Sequence, residues 1–240
     1  MHCNFSIKAW NAVSSYFSRK DDWRAYFDGA DLADFSSVKP DLSFLPAIER
    51  RRLGVSARLA FAAAWNLFDQ KKACPVVMAS HDGEINRSFR LYLDLLRDGL
   101  ISPMSFGLSV HNAICGQWTL FRQDNSEVSA IAASAAVLEA GIVESVGFLA
   151  DGYEEVLLIV AEEPLAEEFA VKPYCRAPFP YALAMRITKG DMWKLERREE
   201  KNNQAGAFYW GAFNWIDASL SERLSFMNDY NTGNWQWSRL

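Results

Sequence analysis

Histidine is scarce. His2, His81 and His111 are the only three in 240 residues, and at those separations they form no metal-ligand pattern, so no metal is expected. Cysteine is nearly as sparse. Cys3, Cys74, Cys115 and Cys175 stand far apart with no C-x-x-C pair, which excludes a zinc ribbon or disulfide framework and reads as four reduced thiols in a cytoplasmic protein. No uncharged apolar run reaches the roughly 18 residues of a membrane span. The longest candidate, 131–149, is interrupted by Ser134, Glu139, Gly141, Glu144, Ser145 and Gly147. The opening Met1-His2-Cys3-Asn4 lacks the basic-then-apolar layout of a secretory leader. Positive charge is in deficit too: 25 Lys and Arg against 30 Asp and Glu leave a net charge of -5, too little basic surface for nucleic acid to be the partner. There is no internal repeat and no low-complexity tract.

What the chain has is apolar mass. Half of it is hydrophobic, 14% is aromatic and 23% is charged, the profile of a globular protein with a sizeable core, and 1–240 reads as a single domain. Residues 5–10 alternate apolar and polar side chains, as a strand does. Residues 14–48, with Pro40 and Pro46, read as irregular apart from a short helix around Trp23 to Phe27. From Leu53 to Phe68 apolar residues cover most of a helix circumference, which demands burial on more than one side. A short buried strand follows at 75–80. Ile85, Phe89, Tyr92, Leu93, Leu96 and Leu100 then mark one face of an amphipathic helix stopped by Gly99. A helix over 110–121, a strand at 128–132 and a second all-round apolar helix over 134–149 lead to the continuous apolar run 156–160, a strand covered on both faces. The tail supplies strands at 182–188 and 193–197 and aromatic-rich segments with Trp210, Trp215, Trp235 and Trp237. Alternating strand and helix means α/β. Two helices with no polar face fit a layered sandwich with buried helices between sheets.

Four groups of residues are candidates for chemistry. His81-Asp82-Gly83-Glu84 follows the strand at 75–80, where α/β proteins place ligands; the histidine beside two carboxylates suits a general base, while Asp82 or Glu84 equally suits a helix cap. Cys115 sits in an apolar context that leaves a thiol inert. Ser134 opens a buried helix in the manner of a nucleophile elbow, but without the flanking glycines of that motif; small residues there also serve close helix packing. Arg50, Arg51, Arg52 and Arg58 put positive charge at a helix start, the unfavourable end of its dipole, and suit either a solvated surface or an acidic partner.

The segment Ile101 to Gly116 (ISPMSFGLSVHNAICG) resembles the amino-terminal half of a β-ketoacyl synthase, in which S-P-x-x-x-P leads into a helix bearing N-x-x-x-G. Ser102, Pro103, Asn112 and Gly116 match in register, and Gly107 replaces the second proline. The spelling SPxxFxxSVHNAxxG is similar to the short chain-length factors of bacterial type II polyketide and aryl polyene pathways, as are Arg50 to Gly54 and the Trp-rich tail. The best-matched core is 49–162, with an aromatic-rich extension over 180–240. The resemblance implies a truncated thiolase-like α/β fold and a role in type II fatty acid or polyketide biosynthesis. It implies a heterodimer with a full-length β-ketoacyl synthase, an acyl carrier protein as further partner, and no cofactor. Met104, Phe106, His111, Asn112, Gly116, Trp118 and Phe121 are the implied acyl-tunnel or interface residues, and Arg50, Arg51, Arg52 and Arg58 the implied carrier-protein docking group. The family's nucleophilic cysteine is expected within 130–135, where there is none, and no histidine follows His111, so no catalytic residue is assigned. The alternatives are an acyl-transfer or hydrolytic enzyme using Ser134 or Cys115 with His81 or His111, and a binding module for acyl chains or carrier protein.

Overall fold

The computed structural model describes residues 1–67, 74–169, 177–199, 211–230 and 232–240; Phe68, Cys175 and Trp210 lie outside them. In chain order the elements are β1 (His2–Ser14), α1 (Lys20–Phe27), α2 (Ala47–Arg50), α3 (Val55–Ala64), β2 (Val76–Ser80), α4 (Ile85–Asp98), α5 (Pro103–Gly107), α6 (Ala113–Arg122), β3 (Val128–Ala132), α7 (Val137–Ala150), β4 (Glu155–Glu162), β5 (Tyr181–Arg198), α8 (Gly211–Leu220), β6 (Ser225–Tyr230) and β7 (Gly233–Arg239). All seven strands join one mixed sheet in the order β3-β2-β4-β5-β7-β6, with β1 also paired to β5. β3 and β4 run parallel to β2 on either side, so the chain passes over the sheet between them, and α7 is that crossover.

The strands alternate perfectly between two cores. Val77, Ala79, Val156, Leu158, Val160, Leu183 and Met185 face the side covered by α7 and α8. Val76, Met78, Leu157, Ile159, Ala161, Ala182 and Ala184 face the side covered by α3. Period-two alternation of apolar side chains into both faces explains why β2 and β4 read as unbroken greasy runs. The layered, thiolase-like α/β half fold expected from the sequence is therefore present, with its two apolar helices buried. One refinement concerns the layers: the described residues form one sheet with a helix on each face, rather than helices between two sheets. No helix among them is long and apolar enough to cross a membrane.

Three local readings are corrected. The strands expected at 182–188 and 193–197 are one strand, because Lys189-Gly190-Asp191 makes a bulge instead of a turn. Gly190 has φ +151° and passes so close to Ser6 that a Cβ there would meet its hydroxyl, and pairing with β1 resumes at Trp193. Arg50, Arg51 and Arg52 do not start the long helix. Arg50 ends the short α2 and Arg51 caps it, so that charge sits at the favourable end of a dipole, while Arg58 alone lies in α3, in its first turn. The tail also contains a helix, α8, where only aromatic segments were expected.

β5 is the spine. Its first half pairs with β4 and its second half with β7, while β1 runs along the opposite edge. This leaves β6 and β7 at one end of the sheet, and their attachment to the crossover helix is polar. Glu139 on α7 is wholly buried and accepts hydrogen bonds from Asn228 Nδ2 (2.6 Å), Tyr230 Oη (3.0 Å) and Trp237 Nε1 (3.0 Å). Burial pushes its carboxyl above the ordinary value of 4.5, against the pull of those donors. Stranding three buried donors costs about 1–3 kcal/mol for each, so Glu139→Leu is expected to lower stability by about 3 kcal/mol or more in urea melts, and Glu139→Gln by less. The raised carboxyl also sets a sign: its contribution is complete below about 4.5 and is lost as pH rises through the folded value. Wild type should therefore lose stability relative to Glu139→Gln between pH 4 and 8; a gap that stays constant with pH would refute this assignment.

Candidate functional site

The carboxyl ends of β2, β3 and β4 bring together His81, His111 and the turn that carries Ser134. Ala133 follows β3 and donates its N–H to the Ser80 carbonyl at the end of β2 (3.3 Å). The chain then turns sharply into α7 through Ala136, whose backbone is left-handed at φ 55° and ψ 41°. A left-handed residue with a Cβ costs about 1–2 kcal/mol. Close packing holds the helix in place after the turn: a Cβ on Gly141 would stand 2.6 Å from Leu158 Cδ1 and 3.4 Å from Ala79 Cβ. Strand, strained turn and buried helix N-terminus together make the geometry of a nucleophile elbow. Its strained residue is Ala136, one position beyond the window in which a cysteine was sought, and an alanine carries no nucleophile.

Ser134 lies two residues earlier and is exposed, so the elbow does not aim it inward. His111 pairs instead with Ser80, Oγ to Nε2 at 3.0 Å. Ser80 Oγ also accepts the Gly83 N–H (2.9 Å), and His111 packs so tightly on Gly83, at φ +56°, that a Cβ there would fall 2.8 Å from its ring. Burial pushes the His111 imidazole below its usual range, so the neutral ring braces the turn at the end of β2. His81 faces Asp82 (Nδ1 to Oδ1, 2.7 Å) and gives its backbone N–H to Glu162. Glu84 occupies the N-cap position of α4 without its side chain capping the helix. That side chain turns to Arg87 (3.1 Å).

Beside this turn lies a cleft of about 620 Å³ between the start of α3, the first half of α4 and residues 163–166. Asn86 closes one wall by donating to Glu163 Oε1 (2.7 Å) and the Pro164 carbonyl (2.9 Å) and accepting from the Ala166 N–H (2.8 Å). Burial raises both Glu84 and Glu163, and each arginine nearby pulls the other way. Arg58, from the docking group expected in the sequence, reaches this cleft but is engaged. Its guanidinium donates to the carbonyls of Leu53 (3.1 Å) and Arg50 (2.6 Å), tying the 50–53 turn to α3. Arg50 is half-buried, and Arg51 and Arg52 remain exposed. Sequence reasoning missed Asn86, Glu163 and Glu139; only Glu139 left a trace there, as a lone carboxylate inside a greasy helix.

The implied tunnel and interface residues divide. Met104 and Phe106 on α5 are largely exposed, and Asn112 and Gly116 at the start of α6 also face solvent. Trp118 does not: it is buried against Phe61 and Trp65, with Arg122 over the indole rings. Phe121 packs half-buried on the same cluster. Both extend the α3 core, which is the packing role that any aromatic at helical spacing can fill. Cys115 belongs to that core too, and burial pushes its thiol up to about 11. Among the described residues no group of three His, Cys, Asp or Glu is placed to hold a metal ion.

The sequence pattern described as "Beta-ketoacyl synthase, N-terminal domain" matches residues 23–238. No curated protein matches the chain. Among solved structures, a ketosynthase (ApeO) in complex with its chain length factor (ApeC) from Xenorhabdus doucetiae is similar at TM-score 0.84 and 21% identity, over 99% of this chain and 100% of the matched one. The ishigamide ketosynthase/chain length factor gives 0.62 and 14%, over 82% and 68%. The AntDE:AntF complex, a type II acyl-carrier protein with its ketosynthase bound to the hexaketide, gives 0.65 and 9%, over the whole of both chains. At these identities the likeness is one of fold.

A thiol pushed to about 11 is less than about one part in a hundred thiolate at pH 8. Iodoacetamide should therefore leave Cys115 unmodified in the native chain and label it promptly in urea, with mass spectrometry of the peptide as the readout. Prompt native labelling would restore Cys115 as a nucleophile.

Proposed function

The chain belongs to the β-ketoacyl synthase N-terminal-domain family, and from that premise we propose that it is a catalytically silent partner of a full-length β-ketoacyl synthase. In this reading it is a subunit of chain-length-factor type in type II fatty acid or polyketide (aryl polyene-type) biosynthesis. The observation that carries the reading is Ala136. The elbow keeps its backbone strain and its buried helix, yet the side chain at the turn is a methyl group. Decarboxylative condensation needs a nucleophile to hold the growing acyl group and donors to stabilise the oxyanion. A chain that keeps the frame and not the nucleophile keeps a shape for another subunit to use.

Two surfaces support that use. Among the described residues β3 is the edge of the sheet, paired to β2 on one side, and an open strand edge is a template for a second strand. Met104 and Phe106 are large and exposed, so their side chains are free to close the end of a partner's acyl tunnel, where added bulk costs kilocalories. Arg51 and Arg52 offer exposed positive charge to an acidic carrier protein, which would speed its encounter.

Purified alone and given acyl-loaded carrier protein with malonyl-loaded carrier, the chain is expected to make no elongated product. Co-expressed with the full-length ketosynthases of its own genome, it should co-purify with one of them at 1:1. That complex should elongate, and Phe106→Ala should shift its products to greater length by mass spectrometry. Elongated product from the chain alone would overturn the proposal.

A further inference from the structure

The α4 helix contradicts its own amphipathic pattern. Ile85, Phe89, Tyr92, Leu93 and Leu96 share one face, with Leu100 just past the Gly99 cap, and among the described residues only the first part of that face is covered: Phe89 packs on Phe169 at 4.8 Å between ring centroids. Beyond it the helix overhangs. Tyr92 is 58% exposed, Leu93 49%, Leu96 65% and Leu100 79%, and α5 continues the strip with Met104 at 62% and Phe106 at 55%. Side chains of this kind leave on the order of 700 Å² of apolar surface uncovered, more than a typical monomer tolerates and close to one side of a standard interface.

The strip is firmly built. Gly99 caps α4 in the left-handed region at φ 72°, its N–H bonded to the Leu95 carbonyl (2.9 Å). Ser102 then caps α5, accepting from the Ser105 N–H (3.4 Å), with Pro103 at the first helical position. Two capped helices joined by a tight turn are pre-organised, so docking on them costs little ordering entropy. The flank carries no net attraction for anionic lipid, because Arg97 is held by Asp94 (3.0 Å) and Asp98 (2.7 Å), and a membrane-bound helix relies on a basic collar.

We infer that the distal half of α4 and α5 form one arm whose apolar face is covered by the ketosynthase partner. The inference rests on the heterodimer proposed above and extends it. α4 touches α5, whose Met104 and Phe106 that heterodimer buries, and the exposed area is what a stable partner needs. It makes Tyr92, Leu93, Leu96 and Leu100 the hydrophobic centre of the contact, flanked by the neutralised Asp94–Arg97–Asp98 cluster as a polar rim.

The test compares wild type with Leu96→Asp/Leu100→Asp and Leu96→Ala/Leu100→Ala. These side chains are exposed, so the isolated variants should keep the circular dichroism and melting temperature of wild type. The aspartate pair is expected to weaken the 1:1 complex with the ketosynthase at least 100-fold and the alanine pair about tenfold, measured by titration calorimetry. Unchanged affinity overturns the inference and leaves the heterodimer standing. If the isolated wild type is a dimer that the aspartate pair disperses, a second copy covers the arm and the inference is wrong. If wild type binds no ketosynthase at all, the functional proposal fails before any variant is made.

Discussion

The fold turns on how abruptly the chain passes from β3 into α7. Only residues 133–136 separate the last residue of the strand from the first of the helix, and the helix has to drop directly onto the sheet that the strand belongs to. One left-handed residue, Ala136, achieves the turn at a conformational cost, and burial of Val137, Leu138 and Ile142 offsets it. With the helix set at that angle, Gly141 lets it lie directly on the Leu158 side chain of β4 and on Ala79 of β2. Glu139 is fixed in the same stroke, aimed away from the sheet centre at the donors of β6 and β7. The register of the parallel strands, the packing of the crossover and the attachment of the C-terminal strands are thus consequences of one turn.

A strained backbone that carries no reactive group needs an explanation, since a gentler turn would be more stable. Its explanation here is architectural. Relaxing Ala136 would tilt α7, open the gap that Gly141 closes and withdraw Glu139 from its three donors. The geometry that serves a nucleophile in a catalytic subunit also determines the shape of the sheet edge beside it. In the proposed heterodimer that edge faces the catalytic subunit, which accounts for a turn kept in shape.

Most of the fold was legible because burial imposes period. Strands covered on both faces gave unbroken apolar runs at 76–79 and 156–160, and helices pressed between neighbours lost their polar face. What stayed hidden depended on contacts distant in sequence. Lys189-Gly190-Asp191 has the composition of a turn, and only the approach of Ser6 makes it a bulge within one strand. The arginines looked misplaced on a helix dipole because the break at 51–54 between two helices carries no strong local signal. Of the implied site, Trp118 and Phe121 were indistinguishable from core by spacing, and core is where they lie. Asn86 and Glu163 are polar residues of ordinary appearance until folding brings residues 163–166 against α4.

The α4 pattern is the more instructive case, because the stripe reads as a buried face and its distal half lies exposed. Hydrophobic periodicity records which faces leave water in the working assembly, whichever chain supplies the cover. Among the described residues the cover ends at Phe89, and Tyr92, Leu93, Leu96 and Leu100 beyond it are exposed. A helix that served only its own domain would have gained stability from polar residues at Leu93, Leu96 and Leu100, which contact little. Their place beside a well-formed glycine cap and a proline-led second helix makes the arm a rigid unit suited to docking. The two unusual features of the molecule then have one cause. In the proposed heterodimer the elbow holds the shape of the scaffold and the arm supplies the surface that the ketosynthase covers.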